Sequence, residues 1–324
     1  MRKLLKNLNK YTIALSALSA AALTNADILT SVRPLGFIAS SIADGITETQ
    51  VLIPAGASPH DYSMKPSDAK RVRDAEFVLW IGKDIDAFLE KSIAQRDATS
   101  VLTISKLAGI ESLLGETSAH DHNHNHDHDH DHDHDHDHDH DHDHDHHHST
   151  NELEQDWHVW FSPKISEQVA EQLAQQLTQL YPQHQAKIAA NLETFKQQLT
   201  TTNQQITQQL AEFKDQGFYV FHDAYRYFEN AYGLQQTGYF TINPLIAPGA
   251  KKLAKIKEEI NEHKVKCLFA EPQFTPKVLQ TLQQSTNVKI GQLDPMGEKI
   301  ALGKGSYSAF LQQIAEDFSD CLKN

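Results

Sequence analysis

Residues 183–213 read QHQAKIAANLETFKQQLTTTNQQITQQLAEF, a stretch that contains neither Gly nor Pro. Its apolar side chains recur at intervals of three, four and seven residues: Ile188, Leu192, Phe195, Leu199, Ile206 and Leu210. This spacing is typical of a helix with one apolar face, and up to about 30 residues at 1.5 Å per residue give a length of about 45 Å. One small domain does not need so long a helix. We therefore expect a rigid strut that joins two lobes.

On the N-terminal side of this stretch, short β-rich runs alternate with amphipathic segments. The predicted strands are residues 28–32, 50–53, 77–81 and 101–104. Between them, residues 67–75 and 84–94 have helical spacing, with Ser67 and Asp84 as candidate N-caps. Strand–helix alternation at this spacing predicts a parallel sheet covered on both faces.

Directly before the long stretch, Ser162-Pro163 is predicted to begin a helix that Tyr181-Pro182 ends. The C-terminal side of the stretch repeats the strand–helix alternation. The later predicted strands are 218–221, 265–269 and 288–290, and the later predicted helices are 224–232, 248–263, 276–285 and 307–322. The fold class is therefore α/β, with two parallel-sheet lobes. The expected divisions are a signal peptide (1–26), an N-terminal lobe (27–181), a linking helix (182–214) and a C-terminal lobe (215–324).

The N-terminus is typical of an exported protein. Four basic residues lie among the first ten, and residues 11–23 form a short apolar run that ends near Thr24-Asn25-Ala26. This order predicts a secretory signal peptide that is cleaved near Asp27. The apolar run is too short to span a bilayer comfortably. No Cys lies near the cleavage point, so we do not expect a lipid anchor at that end. We expect the mature chain to lie free in a periplasm.

The formal charge of −14 is concentrated in one segment, because residues 121–148 contain eleven Asp and the rest of the chain carries only −3. A nearly balanced surface argues against nucleic acid as a partner. The two cysteines, Cys267 and Cys321, suggest one disulfide in an oxidising compartment. It would close a loop of about 55 residues, worth roughly 4 kcal/mol in the chain-entropy model. A zinc site on the two thiols is the alternative, although they lack the short Cys-x₂-Cys spacing.

Sixteen of the twenty-one histidines lie in a tract where His alternates with Asp. The tract lacks apolar residues, so we expect it to be disordered. Imidazole and carboxylate both bind Zn²⁺, so the tract should hold many metal ions weakly. Copper and nickel also bind imidazole, so the identity of the metal stays open. A solvated linker or an engineered tag is the alternative without metal binding. The predicted low-affinity loop comprises His120, His122, His124, His126, His128, His130, His132, His134, His136, His138, His140, His142, His144, His146, His147 and His148.

Three of the other five histidines lie at loop positions. His60 follows the second predicted strand, His158 precedes the helix that begins at Ser162, and His222 ends the strand 218–221. Two of them, His60 and His222, lie at carboxyl ends of strands, where open α/β sheets bind ligands. For a single His a structural role is the simpler interpretation, but three at loop positions beside a metal-attracting tract are candidate metal ligands. His184 and His263 lie on polar helices, and we interpret them as solvated surface residues.

Three acids occupy related positions. Glu271 and Asp294 each follow a predicted strand and precede Pro, while Asp223 adjoins His222. Asp294 is a candidate metal ligand. Asp223 and Glu271 are candidate acceptors that orient an imidazole from behind. Helix capping is the structural alternative for these acids.

Several motifs in order resemble those of one family. They are residues 56–63 (GASPHDYS), 157–160 (WHVW), 221–225 (FHDAY), 269–274 (FAEPQF), 293–295 (LDP) and 306–307 (SY). The chain resembles, from the signal peptide to the C-terminus, the ZnuA family of periplasmic zinc-binding proteins of bacterial ABC transporters, within a group of metal receptors that also serves manganese.

The resemblance implies two (β/α)₄ lobes joined by one long helix, with a single Zn²⁺ in the cleft between them. It implies that His60, His158 and His222 are the ligands. Manganese members have a carboxylate where this chain has His222, and three imidazoles favour Zn²⁺ over Mn²⁺. Some zinc members have Glu before the first His, where this chain has Pro59; the fourth ligand is therefore water, Asp294 or a residue of the tract.

The implied function is high-affinity capture of Zn²⁺ by a monomer, and its delivery to the permease of an ABC importer that has a cytoplasmic ATPase. Three His and a water also form catalytic zinc sites. However, the sequence has no His-Glu-x-x-His motif and no assignable nucleophile or base, so we predict that the protein is not an enzyme. A periplasmic zinc buffer or adhesion protein, or a Mn²⁺ receptor, is the alternative.

Overall fold

The computed structural model describes residues 27–115, 155–241, 244, 248–262, 265–273 and 277–323. The predicted signal peptide (1–26), the low-affinity loop (120–148) and His263 lie outside the described residues. Within the described part, no helix is both long enough and apolar enough to cross a bilayer.

The N-terminal half forms a four-stranded parallel sheet of strand order β2-β1-β3-β4. Its central strands are buried because helices cover a sheet of this kind on its faces, and every residue of β3 is buried. The strands are β1 (Asp27–Thr30), β2 (Glu48–Val51), β3 (Phe77–Trp80) and β4 (Val101–Thr103).

The C-terminal half forms a second parallel sheet with the equivalent order, β6-β5-β7-β8. Its strands are β5 (Phe218–His222), β6 (Gly238–Thr241), β7 (Cys267–Ala270) and β8 (Lys289–Gln292). Strand β6 was not predicted because it is short and begins at Gly238. A side chain at that glycine would collide with the Tyr219 ring, since a Cβ there would lie 2.7 Å from a ring carbon.

The described helices are α1 (Arg33–Ile42), α2 (Pro66–Asp74), α3 (Glu90–Ile93), α4 (Pro163–Leu180), α5 (Gln185–Leu210), α6 (Arg226–Tyr232), α7 (Ala250–Glu262), α8 (Lys277–Thr286) and α9 (Ser306–Leu322). The long helix between the two sheets is confirmed as α5. Its 26 α-helical residues span about 39 Å, shorter than predicted because single 3₁₀ turns replace the α-helix at both ends.

Three local predictions in the N-terminal half were wrong. Ser67 lies inside α2, whose N-cap is Lys65; the side chain of Asp68 accepts from the Lys65 N–H at 2.9 Å. Asp84 caps no helix, because residues 84–94 contain only a 3₁₀ turn and the single-turn α3. Helix α1 was not predicted because it contains Pro34 and Gly36, residues that usually mark a turn; Pro34 lies in the first turn of the helix, where the missing N–H has no intrahelical partner to lose.

The last helix ties the two halves together. Helix α9 follows the second sheet in sequence but packs against both α1 and α5, and Phe310 of α9 contacts Phe37 of α1 with 5.5 Å between ring centroids. The hydroxyl of Tyr307 donates to the carbonyl of Trp160 at 2.8 Å. The two sheets are therefore fixed on a shared apolar core.

The predicted disulfide is confirmed. Cys267 of β7 and Cys321 of α9 are bonded, with 5.9 Å between their Cα atoms. Gly291 of β8 makes room for it, because a Cβ at that position would lie 2.8 Å from Cys321 Sγ. The bond anchors α9 to the second sheet, whose strand ends contribute to the site described next.

Candidate metal centre

The three histidines predicted to meet are brought together at the junction of the two halves. His60 lies in the loop after β2, His158 is the N-cap of the 3₁₀ turn 159–161, and His222 is the last residue of β5. One ring nitrogen from each lies within 4.8 Å of the others, so the cluster is able to hold a metal ion.

The geometry suits a tetrahedral ion. His60 Nε2 and His158 Nε2 are 3.3 Å apart. Two nitrogens bound to one tetrahedral Zn²⁺ at its usual bond length are about 3.3–3.4 Å apart. The His222 ring meets the other two edge-on, with centroids 4.8 Å from His60 and 4.7 Å from His158. The His60–His158 pair thus has the spacing that a tetrahedral Zn²⁺ requires, and a ring nitrogen of His222 lies within 4.8 Å of both.

The three histidine rings are buried to different extents. His158 and His222 are only 5 % and 3 % exposed, while His60 keeps part of its side chain accessible. Burial, with a smaller contribution from the neighbouring His158, lowers the pKa of His60 to about 3. The His60 ring is therefore neutral at physiological pH, and only a neutral imidazole binds a metal.

Asp156 orients the ring of His158. Its Oδ1 atom accepts from His158 Nδ1 at 2.7 Å and from the His158 backbone N–H at 2.9 Å. The proton on Nδ1 leaves Nε2 with its lone pair directed at the cluster, as in metal sites where a carboxylate fixes the tautomer. Asp156 was not among the predicted site residues, because its position two residues before His158 does not by itself show that its carboxylate folds back onto the ring.

Glu271 lies behind His222. Its Oε1 atom is 3.7 Å from His222 Nδ1 and accepts from the Tyr225 hydroxyl at 3.3 Å. Burial raises the pKa of Glu271 to about 8, and the nearby carboxylate of Asp294 adds to the rise. The Glu271 carboxyl therefore lies beside the His222 ring, but at more than hydrogen-bond distance from it.

The other two predicted acids make different contacts. Asp223 accepts from Arg226 Nε with both oxygens at 2.9 Å, and from Gln236 Nε2 at 2.7 Å. Asp294 Oδ2 accepts from the Glu298 N–H at 2.7 Å, and its Oδ1 accepts from the Met296 N–H at 3.0 Å. The described cluster of ligand atoms contains the three histidines without Asp294. Asp294 shapes the turn after β8.

The cavity is lined by the three histidines and Glu271 together with largely apolar neighbours. These neighbours are Ser58, Pro59, Trp160, Gln273, Pro295 and Met296. Pro59 offers no donor atom. His184, predicted to be a surface residue, precedes α5 and does not belong to the cluster.

A family model described as ZnuA, zinc-uptake complex component A, periplasmic, matches residues 28–321. The chain belongs to this family.

Curated members of the ZnuA family cover nearly the whole chain. The high-affinity zinc uptake system protein ZnuA of Haemophilus influenzae is 56 % identical over 99 % of both chains. Its counterpart in Yersinia pestis is 44 % identical over 93 % of this chain and 92 % of that one. The regions of this chain that align with these relatives include both sheets and α5.

Solved structures share the fold at lower sequence identity. A crystal structure of ZnuA aligns with a TM-score of 0.71 at 22 % identity, covering 92 % of this chain and 99 % of that one. The laminin-binding protein of Streptococcus agalactiae, described as an adhesin with metal-transporting activity, aligns with a TM-score of 0.70 at 21 % identity, covering 92 % and 99 %. They show two parallel-sheet lobes joined by a long helix as a shared architecture.

We expect replacement of Asp156 by Ala to weaken zinc binding at the cluster about 10- to 100-fold, because the His158 ring loses the carboxylate that fixes its tautomer. Competition with a zinc chelator would measure the change. Asp86→Ala is the matched control, since Asp86 is also a buried acid that accepts a backbone hydrogen bond but does not belong to the cluster or to the cavity wall. Equal affinities for Asp156→Ala and the wild type would contradict the role of Asp156.

Proposed function

We propose that this protein captures Zn²⁺ in the periplasm and delivers it to the permease of an ABC importer that is driven by a cytoplasmic ATPase. The observation that carries the proposal is the convergence of His60, His158 and His222 in a small cavity between the two sheets. Membership of a periplasmic zinc-uptake family supports the transport role and the location. The predicted signal peptide agrees with that location, and we propose that the protein acts as a monomer.

The ligand set favours zinc over manganese. Three imidazoles suit Zn²⁺, whereas Mn²⁺ prefers carboxylate, carbonyl and water oxygens. We propose water as the fourth ligand, because Pro59 lacks a donor atom and both oxygens of Asp294 accept backbone hydrogen bonds. Asp156 and Glu271 are proposed to orient His158 and His222, and Asp223 to act at a greater distance through its contacts with α6.

The His/Asp tract is proposed to collect zinc, or to sense its abundance, at weak sites. Its attachment supports this role. Gly115 and Asp156, which flank the segment, are joined by a backbone hydrogen bond of 3.0 Å from Asp156 N–H to Gly115 C=O. The hydroxyl of Tyr227 binds both flanks, accepting from Gly115 N–H and donating to Asp156 C=O. The described residues on either side of the segment therefore lie close to His158, and we propose that metal collected by the tract is passed to the cluster.

Replacing His222 by Ala tests the assignment. We expect the variant to lose the tightest zinc-binding phase by more than the 10- to 100-fold typical of a lost orienting partner, while the weak phase of the tract remains. Isothermal titration calorimetry resolves the two phases. A deletion of residues 120–148 should do the reverse, leaving one tight site per chain.

His184→Ala is the matched control, since this histidine lies outside the cluster. A His222→Ala variant with wild-type affinity would show that the tight site lies elsewhere. Loss of tight binding in the deletion variant would mean that the tract supplies a principal ligand.

The two classes of site should respond differently to pH. Burial keeps the pKa of His60 near 3, so its ring stays neutral at pH 6. The histidines of the tract have Asp on both sides, and negative neighbours raise an imidazole pKa above its reference value of about 6.5. Protonation should therefore remove the weak phase between pH 7.5 and pH 6 while the tight phase persists. Calorimetric titration at the two pH values checks this, and equal weakening of both phases would contradict it.

A further inference from the structure

One turn of the C-terminal half contacts segments that carry the site. This turn, residues 294–300, follows β8. The carbonyl of Pro295 accepts from Trp160 Nε1 at 3.1 Å, which joins the turn to the segment of His158. The guanidinium of Arg33, at the start of α1, donates to the carbonyls of Gly297 and Ile300. The turn is thus held against the N-terminal half.

Glu298 projects from this turn and bridges two walls of the cavity. Its Oε1 atom accepts from the backbone N–H of Gly56 at 2.5 Å and from Gln273 Nε2 at 3.0 Å. Gly56 belongs to the loop that carries His60, whereas Gln273 belongs to the C-terminal half and lines the cavity. One carboxylate oxygen therefore connects the His60 loop to the opposite side of the site.

Asp294 accepts hydrogen bonds from both Glu298 and Gln273. Its Oδ2 atom accepts from the Glu298 N–H at 2.7 Å, and its Oδ1 atom accepts from Gln273 Nε2 at 3.3 Å. The carboxylate of Asp294 thereby holds both Glu298 and Gln273, the two bridging residues of the C-terminal half. This arrangement gives Asp294 a role that does not require it to bind the metal.

The His60 loop is the part of the site best suited to open. His158 and His222 are buried on segments fixed by buried contacts, whereas His60 is partly accessible and residues 54–56 are exposed. The hydrogen bond from Gly56 to Glu298 is also exposed. Water can replace such a bond at modest cost, so this contact should break before those that hold the two buried histidines.

We propose that Glu298 is a positioning residue that holds the loop of residues 54–60 closed over the three-histidine site and so sets the rate at which the bound cation leaves. This inference rests on the proposed function, since it concerns Zn²⁺ at the same cluster. With the bridge formed, His60 is kept facing His158 and His222. With it broken, the loop swings away, and the ion keeps the two buried ligands and becomes open to solvent.

The test measures release of Zn²⁺ from the full chain, loaded with one equivalent, into an excess of chelator by stopped flow. We expect Glu298→Ala to release zinc about 3- to 10-fold faster than the wild type, the range for a lost hydrogen bond to a charged group at an exposed position. Glu298→Gln should stay within about 2-fold of the wild type, because its amide oxygen still accepts from Gly56. Glu193→Ala is the matched control: Glu193 is also exposed and also accepts from a glutamine, Gln197, but lies on α5.

Three outcomes would overturn the proposal. Unchanged release from Glu298→Ala would show that the bridge does not retain the ion. Equally fast release from Glu298→Gln and Glu298→Ala would show that the negative charge matters and the hydrogen bond does not. An effect confined to the association rate would assign Glu298 to attraction of the cation. These results differ from failure of the proposed function, in which the wild-type chain itself would lack a tight site that depends on His222.

Discussion

The site depends on Trp160, which fixes the two halves of the molecule against each other. Its indole N–H donates to Pro295 in the C-terminal half, and its backbone carbonyl accepts from Tyr307 of α9. Its ring packs edge-on against His158, with 5.3 Å between centroids. Trp160 is 1 % exposed, so these hydrogen bonds are shielded from competition by water. Because His60 and His158 belong to the N-terminal half and His222 ends a strand of the C-terminal half, the contacts that align the halves also align the ligands.

The second requirement is that three imidazoles remain neutral while they lie close together. Burial achieves this for His60 by penalising the charged ring, and proximity to His158 adds to the effect. The acidic groups are kept behind the rings: Asp156 binds the outward nitrogen of His158, and Glu271 lies beside that of His222. The cluster therefore offers three imidazole nitrogens as donors in a small cavity, which favours a borderline cation over a hard one.

The sequence predicted the convergence of the three histidines because strand ends in parallel sheets follow a general rule. His60 lies in the loop after β2 and His222 is the last residue of β5, so both lie toward the carboxyl ends of strands, where open α/β sheets bind ligands. The long helix was predicted because its apolar spacing is unbroken between Pro182 and Gly217. Helix α1 was not found in the same way, since it contains Pro34 and Gly36 and both residue types usually mark turns.

Side-chain roles were harder to predict than positions. Asp294 follows a strand as a ligand would, yet its oxygens are used by the backbone N–H groups of Met296 and Glu298. Turn geometry of this kind is set by local φ and ψ angles that a strand–turn pattern does not specify. Asp156 was missed because only the folded turn brings its carboxylate back to His158. Glu298 depends on a contact with Gly56, 242 residues away, which no local pattern encodes.

A crystal structure of the zinc-loaded chain, with an anomalous difference map recorded at the zinc edge, tests the three-histidine site most directly. We expect one strong peak about 2.0–2.1 Å from a ring nitrogen of each of His60, His158 and His222, with a water oxygen completing the tetrahedron. A principal peak bound by Asp294 or Glu271, or one that lacks any of the three imidazoles, would contradict this assignment.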